Sequence, residues 1–275
     1  MSLTHAARAR IEALAPDLIR LPESEIDRAL RGDAASPLYP ILNLGREKRF
    51  TAAYAPFDWV NERADIVLVG VTPGLRQATD ALVSLRRKLR DGATIEQAAE
   101  EAKAHASFAG MRTLAARLMD SLGLAEAFGL ASCEALFGSA AGRVHSTSVL
   151  RYPVLNRGKN FSGDKRIMDR PMLRAMVEEH LVPELAALPR AWIVPFGVNA
   201  LLVLEALVVG GELDGDRVLG GVLHPSGHQW NRYKVQLGTT AGAAALKVPG
   251  GRDVIKRSAA LRARAAAITE ARTGV

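Results

Sequence analysis

The run DIVLVG at residues 65–70 is apolar after its first residue, then breaks at once into Val71, Thr72, Pro73 and Gly74. A strand buried on both faces reads this way, because helices covering both sides of a parallel sheet leave no polar face. Pro and Gly then force a turn. Residues 144–150, 191–196 and 217–223 form three further β-type runs. Each ends in turn-forming or polar chemistry: Arg151, Tyr152 and Pro153; Gly197, Val198 and Asn199; His224, Pro225, Ser226 and Gly227. Helical patterns fill the intervals, at 78–90, 94–105, 111–123, 171–188 and 199–209. Strands alternating with helices predict an α/β fold, a three-layer α/β/α sandwich with a mostly parallel four-stranded central sheet. Ligands in such sheets bind beyond the carboxyl ends of the strands, so those four ends are the expected site.

The flanks add little chemistry. Residues 1–60 read as an N-terminal cap, with short helices at 3–14 and 24–31 and an irregular Pro- and aromatic-containing stretch to Trp59. The core spans 61–250, and 251–275 carries an Ala- and Arg-rich helix at 254–272. With 275 residues and 48% hydrophobic content the chain is expected to be one large domain with a sizeable core, and a monomer. Its single cysteine, Cys133, excludes an intramolecular disulfide, a cysteine zinc site and a cluster ligated by several thiolates. The sequence shows neither a signal-peptide pattern nor an apolar stretch long enough for a bilayer, so a cytoplasmic, membrane-free protein is expected. A formal charge of +7, dominated by Arg, fits a polyanionic partner; mildly basic soluble proteins with no such partner are equally common.

Four segments, in order, resemble the uracil-DNA glycosylase superfamily. GVTPGLRQA at 70–78 is similar to the family's water-activating loop, and HPSG at 224–227 to its second motif. FAGMRTLAARLMDSLGL at 108–124 resembles the stretch that holds the aromatic ring stacked on an extruded base. TSVLRYP at 147–153, with the later strand and helices, resembles the second strand region of the bacterial members that carry an iron–sulfur cluster. The resemblance covers roughly residues 65–233. The chain departs from it where Thr72, or Val71, stands in place of the first-motif Asn, Asp or Glu, where Ser148 stands in place of a base-reading Asn, and in lacking the cluster cysteines.

The resemblance implies removal of uracil, with other deaminated or damaged bases as further substrates, from single- or double-stranded DNA in base excision repair, with no cofactor. The nucleotide would leave the stack and enter a pocket that reads its base edge. Catalysis then falls to His224, donating to the departing base, and Thr72, positioning water; a well-placed donor of this kind is worth about 3 kcal/mol. Phe108, Ser148, Gly70 and Val71 would bind the base. Pro73, Gly74, Ser226, Gly227, Arg151, Arg157, Lys159 and Arg232 would contact the DNA backbone, with Lys165 and Arg166 in the same basic loop. Each residue also has a plainer reading: Phe108 as a core aromatic at a helix entry, His224 as a loop histidine with a structural bond, Trp230 as a ring packed on the protein's own surface rather than a wedge in the base stack. His224 and His228 are four apart, but Pro225 and Gly227 break the helix that metal ligation at that spacing needs. Two other functions stay open: an inert DNA- or nucleobase-binding member of the superfamily, and a phosphate-binding α/β enzyme cradling an anion at the helix start after Gly74.

Overall fold

The computed structural model describes residues 3–227 and 229–274. Thirteen α-helices and seven strands, in runs of one to four of a kind, make up the described chain: α1 (His5–Arg20), α2 (Glu23–Leu30), α3 (Tyr39–Leu42), β1 (Asn43–Glu47), β2 (Phe50–Ala53), β3 (Ile66–Gly70), α4 (Leu75–Arg90), α5 (Ile95–Ala106), α6 (Arg112–Asp120), α7 (Leu124–Ala127), β4 (Val144–Ser148), β5 (Val154–Asn156), β6 (Lys159–Asn160), α8 (Pro171–Met176), α9 (Val182–Ala186), β7 (Trp192–Pro195), α10 (Val198–Val209), α11 (Trp230–Gln236), α12 (Gly242–Lys247) and α13 (Gly251–Thr273). The fold is mixed α/β. Its parallel sheet contains three strands, β3, β4 and β7, rather than four. The chain forms two compact units that interleave in sequence: residues 1–63, 71–109 and 145–189 make one, and 64–70, 110–144 and 190–275 the other.

In the second unit β3 is buried at every position, as its unbroken apolar run requires, and pairs in parallel with β7 from Ile66↔Trp192 to Val69↔Pro195. The expected fourth strand at 217–223 is reduced to two isolated bridges, Ile193↔Val218 and Phe196↔Val222. The glycine pair is the physical reason. Gly221 takes φ +145°, and a Cβ there would lie 3.0 Å from the Arg257 carbonyl, so the chain kinks where a ladder would continue. Helix α13 packs with buried Val254, Ser258, Leu261 and Ala265, spaced as one helical face. Its arginines bind backbone carbonyls at the ends of other segments: Arg262 donates to Ser121 O and Gln236 O, Arg264 to Val218 O and Asp216 O, Arg272 to Glu126 O. Cations suit these positions because the last carbonyls of a helix have no partner within it.

In the first unit α1 buries Ala7, Ile11, Leu14 and Leu18, and the alanine-rich faces of α4 and α5 pack closely together. Arg86 and Arg90 close the end of α1 through the carbonyls of Leu21 and Ile19. The stretch read as one helix over 171–188 is broken. A π-helical turn at Val177–Leu181 separates α8 from α9, next to Pro183, which has no N–H to offer the regular ladder. A four-stranded antiparallel sheet in the order β1-β2-β5-β6 occupies the regions expected to be irregular cap and basic loop.

Candidate functional site

In the second unit the chain leaves Val222 and enters the segment that carries His224. The approach to Gly197 is close: that residue has φ +83°, its N–H donates to Val222 O at 2.8 Å, and a Cβ on it would stand 3.0 Å from the His224 Cβ. Only glycine fits both conditions. The backbone around His224 is held from α11. The fully buried Tyr233 donates its hydroxyl to His224 O at 2.7 Å, and Ser226 N–H reaches the same oxygen at 2.9 Å. Gln236, also fully buried, accepts from Leu223 N–H at 3.0 Å and donates to Gly221 O at 2.8 Å and Ser258 Oγ at 3.2 Å. A polar side chain with no exposure, bonded on both sides of one short segment, fixes that segment's path.

The His224 imidazole itself is half-buried, and burial alone pushes its pKa below the ordinary value. It is therefore neutral at physiological pH, with one N–H donor and one acceptor nitrogen. Pro225 is buried, Ser226 half-buried and Gly227 exposed at φ +78°. His228 lies outside the described residues. Trp230 is 63% exposed, with its ring edge-on to Tyr233 at 5.7 Å. Arg232 is half-buried and donates to Pro249 O at 2.8 Å, which leaves it less free for phosphate than its position in the sequence suggested. Gly70, the last residue of β3, is buried.

In the first unit the turn after residue 70 is pinned by a hydroxyl. Thr72 Oγ1 donates to Tyr152 O at 2.9 Å and accepts from Val154 N–H at 3.1 Å, while Val71 O accepts from Leu150 N–H at 2.9 Å. With its proton committed to a carbonyl, the Thr72 hydroxyl works as a cross-brace and keeps only acceptor capacity for a water. Pro73 is buried. Gly74 N–H is taken by Gln77 Oε1 at 3.1 Å and Leu75 N–H by Asn160 Oδ1 at 2.9 Å. The start of α4 is thus already capped by side chains, which weakens the anion-cradle reading. Phe108 is 6% exposed and has φ +53°, a region that bulky residues rarely adopt and that marks imposed backbone strain. Ser148 ends β4, half-buried.

Arg151 requires correction. It presents no head group to a phosphate, because it is 9% exposed and its guanidinium donates to Glu184 Oε2 from Nε at 3.1 Å and Nη2 at 2.9 Å, and to His180 O at 2.7 Å. Arg157 and Lys159 are exposed, as are Lys165 and Arg166.

Arg151 belongs to a buried ionic cluster that sequence reading missed. Glu184 has no exposed side-chain area. Its Oε1 accepts from His145 Nε2 at 2.6 Å and Lys103 Nζ at 3.0 Å, and its Oε2 from Thr147 Oγ1 at 2.9 Å as well as from Arg151. Asn61 N–H donates to His145 Nδ1 at 3.3 Å, which assigns the ring proton to Nε2. Burial, then the Lys103 charge, pushes His145 down to about 4, so the ring is neutral. Burial opposes the charge of Glu184, but Arg151 and Lys103 override it and hold the carboxyl well below its ordinary range. Lys103 also donates to Trp59 O at 2.8 Å, and Tyr152 donates to Asp58, whose carboxylate lies 3.6 Å from Arg151 Nη1. Both Glu184 oxygens are saturated and its partners almost fully buried. The cluster binds segments of one unit together and offers no edge to a substrate. The signal was in the alternation of VHSTS, where His145 and Thr147 take the two inward positions of β4. In unit two Cys133 is buried with its thiol pKa raised by burial, so it is an unreactive core residue.

Fold and sites together define a mixed α/β protein with chemistry-bearing residues at strand ends; among the described residues, no helix is long and apolar enough to cross a membrane. No family model matches the chain, and no solved structure does. The chain is 35% identical over 195 residues to the Bacillus subtilis protein described as "Uncharacterized protein YoxB", a match covering 70% of this chain and 76% of that protein. The chain belongs to the family of that protein.

Proposed function

We propose that the chain is a monofunctional DNA glycosylase that hydrolyses the N-glycosidic bond of uracil in DNA, built on a uracil-DNA glycosylase-like α/β/α fold. The observation that carries this reading is His224: a neutral, half-buried imidazole on a segment held by Tyr233 and Gln236, directly after a strand-like run. A preorganised neutral donor is suited to a leaving group that gains negative charge. As the bond between C1′ and the base nitrogen breaks, its electron pair leaves with the base and His224 N–H stabilises the resulting anion. Water then adds to the sugar cation at C1′ and loses its proton, which returns to the base. The bracing of Thr72 agrees with a path in which bond breaking leads and water capture needs no strong base. Phe108, held in a strained conformation, is the ring proposed to stack on the extruded base.

The test is incubation of the purified protein with single- and double-stranded oligonucleotides bearing one uracil, followed by alkaline cleavage at abasic sites. Cleavage is expected for wild type, with a roughly 100-fold or greater fall in rate for His224→Ala at an unchanged melting temperature. An equal rate in the mutant removes His224 from the mechanism. DNA binding with no cleavage favours the second reading, an inert binding member of the superfamily, to which the spoken-for Thr72 hydroxyl lends support.

A further inference from the structure

The antiparallel sheet of the first unit brings two distant turns to one end. Glu47↔Phe50 closes the β1–β2 turn and Asn156↔Lys159 the β5–β6 turn, while β2 pairs antiparallel with β5 from Phe50↔Asn156. Arg157 N–H donates to Arg49 O at 2.8 Å, so the turns are direct neighbours although more than a hundred residues apart in sequence. Arg46, Lys48, Arg49, Arg157 and Lys159 are all exposed there, and among the described residues none is ion-paired with a carboxylate. The nearby acid Glu47 is engaged with Met172 N–H at 2.7 Å, and the following loop neutralises itself through Arg170–Asp164 and Arg166–Asp169.

The end is also stiff. Phe50 and Phe161 pack edge-to-face at 5.2 Å, and the Arg49 and Arg170 guanidinium groups lie 5.2 and 4.8 Å from the centre of the Phe50 ring. Lys48 and Arg157 both sit at positive φ, 52° and 53°, which two-residue turns impose on residues that rarely adopt it.

We propose that this twin-turn end, carrying Arg46, Lys48, Arg49, Arg157 and Lys159, is a contact surface for the phosphate backbone of duplex DNA. The proposal rests on DNA as the partner and not on base excision. Three inter-strand spacings make the end roughly 15 Å wide. A duplex presents one charge per about 1.7 Å of axis, so several phosphates fall within that width. Among the described residues of the first unit no large hydrophobic side chain is exposed: those that are, Val209, Trp230, Leu246 and Ile255, all belong to the second. A membrane surface would call for such groups; a phosphate backbone does not.

The test is fluorescence anisotropy with an undamaged labelled duplex over a salt series. The wild type is compared with a variant combining Lys48→Asn, Arg49→Ala, Arg157→Asn and Lys159→Ala, Asn being chosen where φ is positive. Each lost phosphate contact should make the slope of log K against log salt shallower by about 0.9, and the affinity at low salt should fall at least about tenfold. Arg252→Ala with Lys256→Ala, on exposed α13 positions, should leave the slope unchanged. An Arg49→Lys, Arg157→Lys variant, which keeps charge and turn, should also keep it. The proposal is overturned if the wild type does not bind, if the four-fold variant keeps the wild-type slope, or if its only loss is binding to phosphatidylglycerol vesicles. Wild-type binding without uracil release would sink the glycosylase reading and leave this surface standing; uracil release with an unchanged slope in the four-fold variant would do the reverse.

Discussion

His145 and His224 are both pushed toward the neutral imidazole by burial, yet their surroundings assign them to different work. His145, in the first unit, is enclosed by ionic partners: both nitrogens are bonded, one to Asn61 N–H and the other to Glu184. For His224, in the second unit, burial lowers the pKa, no charged group among the described residues adds to that shift, and the bonds that hold it are made to its backbone. Rigidity at His145 comes through the ring. At His224 it comes through the main chain, which leaves the ring available to act on something else. A perturbed histidine therefore signals function only when its own nitrogens are not already employed.

The strongest way to break this contrast is through the hub of the cluster. Glu184→Ala should strand Lys103, Arg151 and Thr147 without their acceptor and cost about 3–5 kcal/mol in urea unfolding. If it costs less than about 1 kcal/mol, the cluster is not what stabilises the first unit.

A pH series sharpens the contrast. In the unfolded chain His145 takes up a proton near 6.5, whereas in the folded chain it does so only near about 4. Between those values the unfolded state binds more protons, so stability should fall as pH is lowered from 6.5 toward 4, by up to roughly 1 kcal/mol per pH unit. The Glu184 contribution, fully present above its unfolded pKa, is lost at still lower pH as the carboxyl passes through its depressed folded value. Urea midpoints at pH 7 and pH 5 should differ more for wild type than for His145→Gln. Equal differences would mean that the ring titrates normally.

The smallest effect concerns Thr72. Thr72→Val removes the brace on Tyr152 O and Val154 N–H and should lower stability by about 1–2 kcal/mol in a thermal melt, while Thr72→Ser should retain most of it. A melt unchanged in the valine variant would release Thr72 from its structural role.

Legibility followed the length and uniformity of the pattern. β3 was readable because five consecutive buried residues leave a continuous apolar run, and α4, α5, α10 and α13 were readable from their helical spacing. The 217–223 strand failed because the sequence shows the apolar residues but not the kink that Gly220 and Gly221 impose. The antiparallel sheet escaped notice because its strands are two to five residues long and its tight turns contain Lys48-Arg49 and Arg157-Gly158 rather than Asn-Gly or Asp-Gly. Of the candidate site, His224 and the turn from Val71 to Gly74 could be picked out from their place after strand-like runs. The burial of Arg151 could not, because its partner Glu184 enters from a helix broken by Pro183, and nothing in the local sequence marks that carboxylate as inward-facing.

The arginines of α13 have a consequence for how the protein is made. β3 is made before α13, and the carbonyls of Ser121, Glu126, Asp216, Val218 and Gln236 wait for Arg262, Arg264 and Arg272, which follow β3 by about two hundred residues. At about 5–20 residues per second, the carbonyls of Ser121 and Glu126 stay unlatched for roughly 7–30 seconds and those of Asp216, Val218 and Gln236 for roughly 1–10 seconds, with the apolar strand already made. For that interval the half-made chain depends on whatever shields it from its neighbours.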